Sequence, residues 1–194
     1  MPFHDPPRYA AWQHRDARDG FEVVFLHAED DVGYVLEGVT TAVEAGEAWA
    51  VQYAITLDSD WSTRSARVSR RSASDTDELT LEADGVGGWR INGAAAPHLG
   101  GCLDVDLESS SLTNAFPIHR LGLEIAREAD VPAAYVHALD LSVERLEQRY
   151  VRLDDDGDRQ RYRYTAPGFA FECELSYDEF GLVLDYPGIA VRAG

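Results

Sequence analysis

Between Trp49 and Asp58 large apolar residues alternate strictly with small or polar ones. Trp49, Val51, Tyr53, Ile55 and Leu57 fall on one side, and Ala50, Gln52, Ala54, Thr56 and Asp58 on the other. A period of two places successive side chains on opposite faces of a strand, so this run predicts one face lined with large apolar groups. Other extended runs follow the same logic. Phe21–Leu26 and Val32–Val43 read as strands joined by an acidic turn at Glu29–Asp31, and Glu44–Glu47 with Gly46 reads as a hairpin turn. Arg64–Arg71 and Leu79–Ala83 are two further strands. Asp84–Gly85 and Asn92–Gly93 are tight-turn pairs that enclose a very short strand at Gly88–Ile91.

The second half repeats the habit. Val131–Leu141, Val143–Leu153, Arg159–Thr165, Phe169–Tyr177 and Leu182–Tyr186 are extended runs, separated by the acidic Asp154–Asp158 turn and closed by Pro187–Gly188. Val143, Leu146 and Tyr150 fit a helical period as well as a strand, and strand is the reading adopted. Residues 1–20, rich in Pro, Arg, Asp and His, read as an N-terminal arm over a single domain spanning 21–194, with Trp12 as its anchor. Many short strands at spacings of about 8–12 residues indicate an all-β domain, built on a highly curved antiparallel sheet. The stretch the chain turns on is Gly101–Leu121, which starts as a strand, breaks at a Ser/Thr/Asn turn and becomes apolar again at Phe116–Pro117–Ile118.

Composition narrows the function classes. The chain has 194 residues, ample for one domain with a full core, and a formal charge of −18. Every one of its 17 basic residues is an arginine, which removes Schiff-base lysines and a P-loop lysine. So negative a surface repels phosphate backbones and anionic leaflets, so no nucleic-acid partner and no stable membrane insertion are expected. The opening residues lack a basic region followed by an apolar run, and no stretch reaches the ~20 apolar residues of a membrane helix. The expectation is a soluble cytoplasmic protein, with Cys102 and Cys173 as buried free thiols.

Asp104 and Asp106 share one face of a strand. Such a pair could serve as acid and base, hold a metal, face solvent, or accept hydrogen bonds from backbone and arginines. The six histidines have no metal-ligand spacing, so neither a metal nor another cofactor is expected. Ser109–Ser111 near His119 lacks a Gly-x-Ser-x-Gly elbow and reads as a turn. The aromatic load is more telling: Trp61, Trp89, Tyr150, Tyr162 and Tyr164 recur where large groups would line one concave side, either as core or as the wall of a cavity.

Several short motifs, in order, carry a resemblance. They are Asp58–Ser59–Asp60–Trp61–Ser62–Thr63–Arg64, Asp84–Gly85 with Gly88–Trp89, and Gly101–Cys102 with Asp104–Val105–Asp106–Leu107. Thr113–Asn114, Pro117–Ile118, Arg120–Leu121, Gln148–Arg149–Tyr150, Tyr162–Arg163–Tyr164 and Gly181–Gly188 continue the series. With these the chain resembles the Putative glycolipid-binding family of bacterial proteins. The resemblance implies a β-roll or half-open barrel similar to lipoprotein-carrier folds, and a lipid-like or glycolipid ligand; it brings no catalytic residues. Ser110–Ser111–Leu112 stands where the family has Thr-Pro-Phe, and His119 stands where it has Arg.

The combined expectation is non-enzymatic binding in an apolar, aromatic-lined cavity. Trp61, Trp89, Tyr150, Tyr162 and Tyr164 would form its wall, and Asp60, Arg64, Asp104, Asp106, Asn114 and Arg120 its polar contacts, unless these six form a buried network instead. The alternatives are a hydrolase using Asp104 or Asp106 with His119, and a dimerising interaction module without a ligand.

Overall fold

The computed structural model describes residues 3–16, 18–29 and 33–194; Asp30 and Asp31 of the expected Glu29–Asp31 turn, and Val32, lie outside the described residues. The first half of the chain forms β1 (Tyr9–His14), β2 (Asp19–Glu29), β3 (Gly33–Glu44), β4 (Glu47–Leu57), β5 (Thr63–Ser72), β6 (Thr76–Ala83), β7 (Trp89–Ile91) and β8 (Ala94–Ala95). The middle supplies β9 (Asp104–Leu107), the helix α1 (Ala115–Leu121), β10 (Glu128–Asp130), β11 (Ala133–Val136) and β12 (Val143–Leu146). The chain ends with β13 (Arg149–Arg152), β14 (Gln160–Ala166), β15 (Phe171–Tyr177), β16 (Val183–Tyr186) and β17 (Ala190–Arg192).

Among the described residues, fourteen strands make one antiparallel sheet in the order β10-β13-β14-β15-β16-β17-β1-β2-β3-β4-β5-β6-β7-β8. Its ends, β10 and β8, are separate edges, so the sheet curls without closing into a barrel. A second sheet, β12-β11-β9, contains the parallel pair β9–β11. Thr63 ties the two together: its N–H donates to the Leu103 carbonyl at 2.9 Å and its Oγ1 accepts from the Val105 N–H at 3.0 Å.

Local chemistry explains most boundaries. The β3–β4 turn places Ala45 at φ 51° and Gly46 at φ 84°, and the β7–β8 turn places Asn92 at 49° and Gly93 at 79°, the left-handed pair that matches the twist of flanking strands. Helix α1 starts where the sequence predicted only renewed apolar structure. Pro117 is tolerated there because it lies in the first turn, whose N–H groups lack partners within the helix. Gly122, at φ 52°, ends α1 by donating its N–H to the Ile118 carbonyl at 3.2 Å. The ambiguous Ser142–Gln148 stretch is strand, and β12 and β13 enter different sheets.

The first twenty residues do more than lie over the body. β1 sits inside the large sheet between β17 and β2, joining the two ends of the chain. Trp12 is fully buried and its indole N–H donates to the Val183 carbonyl at 2.7 Å. An arm remains only before β1.

The concave side is filled. One buried cluster gathers Trp12, Trp49, Tyr53 and Ile55 of the sheet with Leu107 and Phe116 of the middle segment. A second, under the C-terminal strands, packs Tyr150, Tyr162, Tyr164 and Tyr177 against Ile118 of α1. Its rings meet edge-on or tilted, with Tyr162 and Tyr177 5.4 Å apart at 82°.

Candidate functional site

Three loops are built alike. In Asp58–Ser62 the Asp58 carboxylate oxygen Oδ1 accepts from the N–H groups of Asp60 and Ser62, both at 2.9 Å. Asp84 accepts in the same way from Val86 and Gly88, and Asp178 from Phe180 and Leu182. Each loop closes with a backbone bond from the aspartate N–H to the carbonyl of the fifth residue. The fourth residue is always left-handed: Gly87 at φ 99°, Gly181 at φ 70°, and Trp61 at φ 64°. Glycine adopts that conformation freely, whereas a bulky side chain there is an outlier that the surroundings must hold in place.

What holds Trp61 is a stack of rings. The imidazole of His119, at the end of α1, lies parallel to the indole with centroids 3.6 Å apart, and Tyr34 tilts against it at 4.6 Å. Phe3 packs on His119 at 4.8 Å. Burial pushes the His119 imidazole down to about 4, partly countered by a hydrogen bond with the Phe180 backbone, so the ring is neutral near pH 7. Gly181 makes room for it: a Cβ there would lie 2.4 Å from Nε2.

These rings form one wall of a cleft of about 940 Å³. Leu123 and Ile125, just past α1, extend the apolar surface, and Glu124, Arg152 and Asp155 bring charge to it. Arg152 pairs with Asp155 and stacks its guanidinium 5.0 Å over Tyr162. An adjoining hollow of about 500 Å³ shares Phe3, His4 and Asp155 with the cleft and carries Asp178 and Glu179 beyond them. The cleft therefore combines aromatic and aliphatic surface with charged groups.

A smaller pocket of about 200 Å³ opens elsewhere, lined in part by Asp106, Asn114 and Tyr164. Of the eleven residues singled out from sequence, these three line the small pocket together, and Trp61 is the one that lines the large cleft. The others have structural partners. Asp60 is exposed in its loop. Arg64 bridges two of the aspartate loops, pairing with Asp58 at 3.1 Å and donating to the Asp84 carbonyl at 2.6 Å. Trp89 donates to the Cys102 carbonyl at 2.8 Å.

The aspartate pair is buried and separately engaged. Asp104 is bound by the Arg120 guanidinium through both carboxylate oxygens. Asp106 accepts from the Thr113 hydroxyl at 2.9 Å and the Gln148 amide at 2.7 Å. Burial pushes both carboxyls up to about 6; the Arg120 charge works against it at Asp104, and the two hydrogen bonds do so at Asp106. Neither aspartate has His119 among its hydrogen-bond partners, and among the described residues no group of three or more His, Cys, Asp or Glu could hold a metal. Tyr150 donates to the Asn114 side-chain oxygen at 3.0 Å, so it and Tyr162, both about 1% exposed, form core around the pocket where a cavity wall was expected.

Sequence reasoning missed Phe3, Tyr34, Leu123, Ile125, Arg152 and Asp155. They come from four separate segments, and only the fold assembles them.

A family model described as Putative glycolipid-binding matches residues 9–192. The fold is similar to the crystal structure of a DUF1089 family protein from Pseudomonas aeruginosa, with a TM-score of 0.75 and 36% identity over 89% of this chain and 92% of that one. It is also similar to a beta-barrel-like protein of the domain of unknown function DUF1849 from Brucella abortus, with a TM-score of 0.52, covering 95% of this chain and 93% of that one; at 11% identity the likeness is one of fold alone. No curated protein matches the chain. Among the described residues, no helix is long and apolar enough to cross a membrane.

Proposed function

The chain belongs to the Putative glycolipid-binding family, and from that premise we propose that it binds an amphipathic, glycolipid-like small molecule without transforming it, in the cleft walled by Trp61, Tyr34, Phe3 and Ile125. The observation that carries this reading is that the cleft combines an aromatic wall with charged side chains. Its volume of about 940 Å³ falls in the range of small-molecule sites. An acyl chain laid on the aromatic wall would gain about 25 cal/mol for each Å² of apolar surface removed from water. The exposed Asp155 and Glu124 would meet a polar head group, with the buried Arg152 paired to Asp155. Holding Trp61 in a left-handed conformation costs free energy, and positions of that kind collect at ligand sites.

Isothermal titration with short-chain glycolipids below their micellar concentration tests the reading. Ile125, 51% exposed, can be replaced by Asp with little burden on the fold. Saturable binding to the native chain, weakened about tenfold or more by Ile125→Asp, is the expected result. Absence of binding, or binding indifferent to Ile125→Asp, would sink it.

A further inference from the structure

The smaller pocket lies apart from the cleft, shares none of its lining residues, and is chemically distinct. Phe169, 46% exposed, belongs to its lining, and Phe171, Tyr135 and Tyr164 add aromatic surface. Against these rings stand polar groups from distant parts of the chain: Arg18, Asp106, Glu108, Ser110 and Asn114.

Arg18 is the under-bonded member, even though its guanidinium lies 5.2 Å over the Trp49 ring. Its side chain is 6% exposed, yet among the described residues the Nε atom has no hydrogen-bond partner. Its ion pairs with Glu44 and Glu108 are both 3.7 Å long, too long to be hydrogen bonds, and one Nη reaches the Glu108 carbonyl only at 3.5 Å. Among the described residues this buried guanidinium has two long ion pairs, a ring contact and one marginal hydrogen bond to set against five donors, so it is short of acceptors.

The ligand's chemistry follows by elimination. An anion would satisfy Arg18 but would have to face Asp106 and Glu108. A cation would suit the rings and the carboxylates but would leave Arg18 short of acceptors and repelled. A neutral group carrying both acceptors and donors satisfies every member at once, and the aromatic surface asks for a flat apolar face. About 200 Å³ leaves room for one ring and excludes an acyl chain. We infer that this pocket is a second binding site, independent of the cleft, that takes a single neutral polyhydroxylated ring such as a pyranose.

Saturation-transfer NMR on the full chain with methyl glucosides and methyl galactosides tests this. At least one glycoside should show saturation transfer from the protein and titrate to a plateau. Phe169→Ala, at an exposed position, should weaken that affinity about five- to tenfold, and Phe171→Leu provides an independent second variant. Ile125→Asp in the cleft should leave it unchanged, so failure of the glycolipid reading and failure of this one are distinguishable. No saturable transfer from any glycoside, transfer undiminished in both aromatic variants, or preference for tetramethylammonium or acetate over every glycoside would overturn the proposal.

Discussion

Trp61 and His119 lie face to face, their ring centroids 3.6 Å apart and their planes 4° from parallel. The stack joins the start of β5 to the end of α1, and it requires Trp61 to sit at φ 64°, where the two sister loops use Gly87 and Gly181. A left-handed L-residue costs roughly 1–2 kcal/mol. Replacing Trp61 by Gly or by Ala removes the same ring, but only Gly relieves the backbone. Trp61→Gly is therefore expected to be more stable than Trp61→Ala by about 1 kcal/mol, the reverse of the usual order. Urea unfolding of the two variants measures the difference. Equal stabilities, or a more stable Ala variant, would show that the loop holds no strain.

The N-terminal segment divides into two parts with different duties. Residues before β1 line the cleft through Phe3, His4, Asp5 and Pro6, and His4 donates its backbone N–H to the Glu179 carbonyl at 2.9 Å. β1 itself bridges β17 and β2. Deleting residues 1–8 should leave the thermal transition cooperative while weakening binding of a short-chain glycolipid. Deleting residues 1–14 should abolish the transition, because Trp12 and two ladders of backbone hydrogen bonds go with it. Calorimetry and titration on both truncations check this, and an unfolded shorter truncation would place the structural boundary too late.

How much of this was legible in the sequence depends on how local each signal is. The Trp49–Leu57 alternation and the Asn92–Gly93 turn declared themselves because their causes lie within a few residues. β1 did not: Tyr9–His14 is short, two of its six residues are alanine, and its place in the sheet is set by pairing with β17, at the other end of the chain. The motif around Trp61 was visible as a string of letters, but its meaning appears only when the aspartate hydrogen bonds show three equivalent loops. Asp104 and Asp106 were legible as a same-face pair. Their partners Arg120, Thr113 and Gln148 depend on how α1 and β12–β13 pack back, which no spacing records.

Asp106 should leave a signature in the pH dependence of stability. Burial raises its carboxyl to about 6 from an ordinary 3.8. The folded state thus holds the proton more tightly than the unfolded chain, so this group's stabilising contribution is full below pH 3.8 and is lost as pH rises through about 6. His14 and His119, both lowered to about 4, act oppositely, destabilising the fold as pH falls from 6.5. They are common to wild type and Asp106→Asn, as is Asp104, which burial also raises to about 6, so most of their effect drops out of the difference between the two proteins. That difference should drift toward the variant by about 2 kcal/mol between roughly pH 4 and pH 7. Urea unfolding at a series of pH values measures it; a flat difference would mean that Asp106 titrates like an exposed carboxylate.

The Ser110–Ser111 turn, whose Ser110 lines the small pocket, hangs on a carboxyl that is itself positioned by one tyrosine. Glu22, fully buried, accepts from the Tyr53 hydroxyl at 2.6 Å, from the Ser110 hydroxyl, and from the Ser111 N–H at 2.8 Å. Tyr53 reaches it by lying across Gly38, its cross-strand partner: a Cβ on Gly38 would come within 2.2 Å of the ring. Gly38 is needed for space, not for backbone conformation. Gly38→Ala should displace the ring and take a donor from Glu22, costing about 2–4 kcal/mol. With Tyr53→Leu already in place the ring is gone, and the same Gly38→Ala change should cost at least about 1 kcal/mol less. A double-mutant cycle in urea measures that coupling. If the two changes simply add, Tyr53 is not resting on Gly38, and the support assigned to the Ser110–Ser111 turn must come from another residue.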